Sequence, residues 1–522
     1  MPEINSIKTI IKEQSKFLGY NQNEVINDNE FFDMENLSGD LYPAVSVRKP
    51  RGEYKKLNMA NGLFGKDVLC WVDGTEFYYN GIRKGTVLDG KKQMVAFGSY
   101  ILIFPDKKYY HSKEDIFGSM EAIYNQTAVV TFSNDYYTDS MLNEANLYIK
   151  ISGNNIGSYF KQYDAVKIEG VIDYNLQNLN KTAVIYKIEP DYILIIGFDL
   201  GGKRYTQNSG LKVSRIVPDL QFVVENDNRL WGCSSEKREI YASKLGDPFN
   251  WSAFEGISTD SYSATIGSGG DFTGIASHLG YVLFFKEECI HKVFGTKPSN
   301  FNLSTMNCHG VEKGSEKSVV VLNETLYYKS KNGVMSFNGG MPEGIYAAFG
   351  NKRYSTGIGG KFGDKYYISM KEETGKRVLF SYSQLTGMWY KESCGDIKDM
   401  AYCNGMLYYL ENNNIKTITG ENSENVSWYG EFGATDIGLQ KGNINKLKIS
   451  CRLETGVSFD IYLKYDEEPM WEKVYTIYSK RREVYDIPIL LRRCNRVRLK
   501  LVGTGSMVLY SISKIFTDGG MY

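Results

Sequence analysis

Lys398 to Gly420 reads KDMAYCNGMLYYLENNNIKTITG, and it decides the fold class. It contains three short apolar runs. Met400–Cys403 stops at Asn404-Gly405, Met406–Leu410 stops at Glu411–Asn414, and Ile415–Ile418 stops at Gly420. Asn-Gly between alternating apolar runs marks a tight hairpin, because both turn residues must take positive φ. The stretch therefore predicts a three-strand antiparallel meander.

The same pattern recurs upstream. Leu230-Trp231 follows Asp227-Asn228, Val282–Phe285 follows Leu279-Gly280, Leu326–Tyr328 follows Asn323-Glu324, and Tyr366–Ile368 follows Gly363-Asp364. Aligned on these middle runs, the units repeat at roughly 40 to 50 residues, the period of a propeller blade. Val68–Val72 with Phe77–Tyr79, and Ile101–Phe104 with Tyr109-Tyr110, add two more. A lone meander leaves an apolar face uncovered, and ring closure covers it. The reading is an all-β chain: a β-propeller of about seven blades, a small inserted β-domain and a C-terminal β-sandwich.

The boundaries follow from breaks in the pattern. Residues 1–55 are not blade-like and read as an extended N-terminal arm, with Ile7, Ile10 and Ile11 marking a short amphipathic helix. Residues 56–118 hold blades 1–2. From Ile101 to Leu230 the gap is about three periods, so residues 119–215 are assigned to an inserted β-barrel or sandwich. Residues 216–422 hold blades 3–7. In 423–522, Leu447, Ile449 and Cys451 alternate, as do Phe459, Ile461, Leu463 and Tyr465, and Val497, Leu499 and Leu501. Strands with one buried face of this kind predict the terminal sandwich.

Lys plus Arg and Asp plus Glu both number 61, so bulk charge does not drive nucleic-acid coating. The eight Cys include no C-x-x-C pair and read as reduced, buried thiols of a protein assembled in a cytosol. The N-terminus has no signal-peptide pattern, and no apolar run approaches the ~20 residues needed to span a bilayer.

Candidate chemistry is sparse. Cys289-Ile290-His291 and Cys308-His309 offer zinc-ligand types at spacings that fit no compact finger. Ser383–Trp389 has the outline of a sialidase-type turn but lacks its Asp, so Trp389 is expected to pack between blades. There is no Gly-x-Ser-x-Gly and no Walker-type phosphate loop. No catalytic residue, cofactor or metal is assigned, and the expectation is a protein that is not an enzyme. The one candidate surface is basic, facing either DNA or another subunit: Lys480, Arg481, Arg482, Arg492, Arg493, Arg496 and Arg498. On a strand, Arg496 and Arg498 share a face, which could track phosphates or be solvated or salt-bridged.

Several strings together resemble a known family. They are Glu30–Pro43 with Arg48–Arg51, Ile103–Lys107, and Asn228–Gly232 running into Ile240–Trp251 with its Gly246-Asp247-Pro248-Phe249-Asn250-Trp251. This set, within residues 25–420, resembles the tail nozzle and packaged-DNA stabilisation proteins of short-tailed bacteriophages. The resemblance implies a structural virion protein of the viral tail that forms a homo-oligomeric ring, expected to be a hexamer. The ring would extend the portal and adaptor channel, retain packaged double-stranded DNA and conduct it during ejection. The partners implied are further copies of the chain, the phage adaptor and portal, and other tail proteins. The location implied is the virion, after assembly in the host cytoplasm. The N-terminal arm and inserted domain are then expected at subunit and adaptor contacts. A tail-tip protein that binds a receptor or glycan, with Trp428 or Trp471 stacking on sugar, is the alternative.

Overall fold

In the computed structural model, residues 9–139, 145–421, 425–437, 441–479 and 483–517 are described. They are all-β: the only helical turns among them are five short 3-10 segments. The chain forms two compact units, one of residues 70–310 and one of residues 1–69 with 311–522.

Seven sheets are four-stranded and antiparallel. Six are local meanders, spanning 60–86, 93–119, 222–265, 274–307, 320–344 and 355–392. The middle runs picked out by sequence are their second strands, among them Tyr100–Phe104, Arg229–Ser234, Tyr281–Phe285, Thr325–Lys329 and Lys365–Lys371. The turns have the expected backbone. Asp227-Asn228, Leu279-Gly280, Asn323-Glu324 and Asn404-Gly405 all have positive φ at both residues, as type I′ hairpins require.

The seventh sheet is not local. Ile397–Cys403, Met406–Glu411 and Asn414–Thr417 form the meander read from sequence, and Gly52–Lys56 adds its fourth strand. The pairing runs from Asn414 with Lys56 to Thr417 with Gly52. Gly52 is needed there, because a Cβ would lie 2.1 Å from the Thr417 hydroxyl. Arg51 donates to the Ile418 carbonyl at 2.8 Å and is paired with the buried Glu392. This strand escapes sequence reading because Glu53–Lys56 are exposed and polar, with no alternation to detect.

The N-terminal residues read as an extended arm are extended, and they are built into the terminal sheets as strands. Thr9–Gln14 is a strand, not a helix, and pairs with the C-terminal strand Met507–Thr517 from Thr9 with Thr517 to Gln14 with Ile512; Ile7 lies outside the described residues. Phe31–Glu35 pairs with Ser427–Phe432, and Val45–Val47 pairs with the start of Met507–Thr517. Two sheets result, one of seven strands and one of six, each mixing N-terminal with C-terminal strands. They share a core in which Phe17, Tyr20, Phe31, Met34, Leu37 and Val45 pack with Leu447, Ile449, Ile461, Leu499 and Phe516. The physical reason is the register shift between Phe31 and Asp33: residues three apart would otherwise face opposite ways, and the bulge turns Phe31 and Met34 to one side, which the C-terminal strands cover. Phe31 lies 4.5 Å, centroid to centroid, from Phe432.

In the other unit, residues 122–215 form one eight-stranded antiparallel sheet around a core that includes Ile149, Ile151, Ile168, Ile185, Ile193 and Val213. Its end strands are Ala122–Tyr124 and Tyr205–Gln207, and the strands on both sides of Thr182–Glu189 contribute to that core. Asp164 at its base pairs with Arg215 at 2.5 Å and accepts from Asn250 at 3.3 Å.

Candidate functional site

The basic residues sit on the terminal sheets. In Arg496–Thr504 the buried side chains are Val497, Leu499 and Leu501, so Arg496, Arg498 and Lys500 face outward. Alternation on a strand places the charges in one row. Their surroundings neutralise that row. Arg496 lies 3.5 Å from Asp436 and 3.8 Å from Glu467. Arg498 lies 3.6 Å from Glu431, with its guanidinium 5.1 Å from the Phe32 ring centroid. Lys500 stands over Tyr429 and Trp471, at 5.1 and 5.7 Å. Burial pushes the Glu431 carboxyl up from its ordinary value, against the pull of Lys500 and Arg498.

Arg492 is paired with Glu468 and Glu472 and lies over the Tyr465 ring. Arg493 is exposed and pairs through its backbone with Asn443 of the seven-stranded sheet, away from the row. Lys480, Arg481 and Arg482 lie outside the described residues. Four of the seven residues singled out are thus seen, and three of those four (Arg492, Arg496 and Arg498) meet carboxylates. Those acids come from other strands and loops, so no local sequence signal connects them to the arginines.

At the other end of the same six-stranded sheet is a cleft of about 640 Å³. Glu35, Asn425, Ser427, Tyr429, Thr455, Ser458, Asp460 and Thr504 line it with Gly456 and Gly503. Trp428 forms its floor rather than a stacking platform: the side chain is 2 % exposed, and its Nε1 donates to the Gly505 carbonyl at 3.0 Å. This corrects the sugar-stacking role expected for Trp428. The residue falls on the core side of the alternation in Ser427–Phe432. Trp471 remains half-buried at the surface.

The Cys/His residues gather in the other unit. His291 is buried; its Nδ1 is 2.9 Å from the Thr305 hydroxyl, and its Nε2 is 2.8 Å from Ser268 Oγ and 3.6 Å from Cys289 Sγ. Burial, with Lys286 nearby, pushes its pKa down to about 4, so the ring is neutral at pH 7. Lys286 donates to the Ser268 carbonyl at 2.7 Å, which fixes the glycine-rich loop over the ring. Both ring nitrogens are engaged by side chains, as in a satisfied core histidine. Among the described residues, no group of three or more His, Cys, Asp or Glu is placed to hold a metal ion. All eight cysteines are free thiols. No helix among the described residues is long and apolar enough to cross a membrane.

No protein-family model matches the chain, and no curated protein matches it by sequence. Solved structures give weak likenesses. Raptor of Chaetomium thermophilum is 8 % identical, over 71 % of this chain and 29 % of that one, with a TM-score of 0.31. PorZ of Porphyromonas gingivalis, a surface component of the type-IX secretion system, is 9 % identical over 88 % and 77 %, with a TM-score of 0.26. An exo-β-1,3-galactanase of Phanerochaete chrysosporium is 10 % identical over 55 % and 95 %, with a TM-score of 0.18. At these scores none carries an activity to this chain.

Proposed function

We propose that the seven four-stranded sheets close into one propeller and that the chain is a non-catalytic, ring-forming subunit of a short-tailed phage's tail. The ring, a hexamer in this reading, extends the portal and adaptor channel, retains packaged DNA and conducts it during ejection. The observation that carries the reading is the strand Gly52–Lys56 completing the sheet of Ile397–Thr417. Drawing the outer strand of the last blade from ahead of the first would tie a propeller shut at its seam and leave only a short, charged edge there. A body closed in this way is a rigid block from which loops project at fixed positions.

Two further features support a conduit. The outward basic row is matched by Asp436, Glu431 and Glu467, so it would not grip a phosphate backbone. The family-like strings also serve the fold. Trp251 is buried and donates from Nε1 to the Pro248 carbonyl at 2.9 Å, while Asp247 accepts from the Phe249 amide at 2.9 Å. The Gly-Asp-Pro-Phe-Asn-Trp run is therefore a self-bonded loop that presents Asn250 to Asp164.

Negative-stain imaging and native mass spectrometry of the purified full chain test the reading, together with mass spectrometry of purified DNA-filled virions. Annular particles of about six copies, and the chain's presence in virions, are expected. A chain absent from virions, or monomeric alone and with its adaptor, would overturn it.

A further inference from the structure

The cleft on the six-stranded sheet is built from a transverse row of hydroxyls. Ser427 pairs in register with Thr504, Thr504 with Ser458, and Ser458 with Tyr478. Residues directly opposite on neighbouring strands point to the same face at about 4.8 Å spacing. That face is the outer one: Ser427, Thr504 and Tyr478 are exposed, while the next residues inward, Trp428, Phe459 and Ile477, are buried. One register step along, Tyr429, Val502, Asp460 and Thr476 form a second row.

The polar groups divide into spent and unspent. Asp460 accepts from Thr476 Oγ1 at 2.7 Å and pairs with Lys473 at 2.8 Å. Among the described residues, the Ser427, Thr455, Ser458 and Thr504 hydroxyls and the Glu35 carboxylate make no side-chain hydrogen bond or ion pair. No Lys or Arg lines the cleft among the described residues, and with Asp460 engaged by Lys473 the unmatched charge there is Glu35. Its volume falls within the roughly 300–1,000 Å³ of ligand sites. The exposed Tyr478 ring ends the row, and an amphipathic ring there can lie against an apolar sugar face. A larger cleft, of about 730 Å³, is lined by Lys352 and Arg353 together with Glu24, Glu372 and Glu373. Its opposed charges select no ligand class.

We infer that the Ser427–Thr504–Ser458 row, with Glu35 at its side and Tyr478 at its end, is a binding site for a neutral or cationic oligosaccharide. The hydroxyl ladder exchanges hydrogen bonds with successive sugar hydroxyls. The free Glu35 carboxylate favours an ammonium over a carboxylate on the sugar. The site does not depend on whether the chain forms rings.

Isothermal titration of the full chain uses three probes: an N-acetylated chito-oligosaccharide, its deacetylated cationic counterpart and an oligogalacturonate. Saturable binding of the first two and none of the third is expected. Ser427→Arg fills the cleft from an exposed position and should abolish binding with an unchanged melting temperature; Thr504→Arg is the second such variant. Glu35→Gln should weaken the cationic probe about two- to fivefold and leave the neutral one unchanged. Tyr478→Ala should weaken both about two- to tenfold. Failure of all three probes to bind, equal binding of the anionic probe, or binding that survives both arginine variants would overturn the site.

Discussion

The inserted sheet and the terminal sheets are both wholly antiparallel, yet they assemble in opposite ways. Every strand of the inserted sheet lies between residues 122 and 215. The terminal sheets join Thr9–Gln14 and Phe31–Glu35 to strands beyond residue 426. The first kind of sheet closes short loops; the second closes the whole chain before any contact compensates the lost entropy. The terminal core therefore depends on a segment that looks dispensable in sequence, while the main inserted core is built from its own strands and receives only the loop of residues 250–255 from outside.

Deleting residues 1–50 attacks this difference most strongly. Phe17, Tyr20, Phe31, Met34, Leu37 and Val45 are all buried in the terminal core. At about 1.5–3 kcal/mol per buried side chain, their loss is on the order of 10 kcal/mol, comparable to the whole stability of a typical domain. The truncated chain should lose the cooperative unfolding of the terminal sheets, seen as collapse of near-UV circular dichroism and rapid proteolysis beyond residue 423. A fragment of residues 119–218 should fold alone with a sharp thermal transition. A well-folded 423–522 fragment would contradict the comparison.

Single core substitutions sharpen it. Phe31→Ala removes a ring that packs against Phe17 and Phe432 and should cost about 3–5 kcal/mol. Ile193→Ala in the inserted core should cost about 2–5 kcal/mol. Hydrogen exchange separates them by location. The first should raise exchange in Met507–Thr517 as well as Phe31–Glu35; the second should raise it only within 122–215.

A buried lysine links the two termini and gives the terminal sheets a pH signature. Lys514 is 1 % exposed, donates to Thr435 Oγ1 at 2.6 Å and lies 3.8 Å from Asp28. Burial, with Lys12 nearby and Asp28 opposing, pushes its pKa down to about 8. Between about pH 8 and the ordinary lysine value of about 10.4, the unfolded chain holds a proton that the folded chain has released. Stability of the terminal sheets should therefore rise with pH across that window, by on the order of 2–3 kcal/mol. Lys514→Met should flatten the rise in urea midpoint between pH 7.5 and 9.5, while the inserted fragment shows no such rise.

These contrasts also mark what the sequence discloses. The all-β class is legible because two-residue turns such as Asn404-Gly405 are local: the positive φ they need is written in adjacent residues. Alternation in Val497–Leu501 discloses a one-sided strand for the same reason. Gly52–Lys56 stays hidden because an exposed polar edge strand carries no period. Thr9–Gln14 reads as a helix because Ile7, Ile10 and Ile11 happen to sit three and four apart, whereas its strand state is set by Met507–Thr517 at the other end of the chain. At the candidate surface the arginine row is visible in sequence, but Glu431, Asp436 and Glu467 become its partners only through folding. The hydroxyl row is wholly a product of register: Ser427, Ser458 and Thr504 are single, unremarkable residues until three strands align them.

The smallest effect concerns that arginine row, where the two regions should look alike. Arg498 and Glu431 are partly exposed, and exposed ion pairs contribute about 0–1 kcal/mol. Arg498→Ala should thus shift the unfolding free energy by no more than about 1 kcal/mol, about as little as Lys167→Ala, which breaks the surface pair with Glu169 on the inserted sheet. Because Asp436, Glu467 and Glu431 offset the charges of Arg496, Arg498 and Lys500, few counterions would be released from DNA at this row. Retention of duplex DNA on filters at 50 mM salt should be equally low for the parent chain and for Arg498→Ala. Glu431→Gln should raise it by unmasking Arg498. Strong, steeply salt-dependent retention by the parent chain would mean that the row meets phosphate after all, and the neutral-wall reading of the conduit would fall with it.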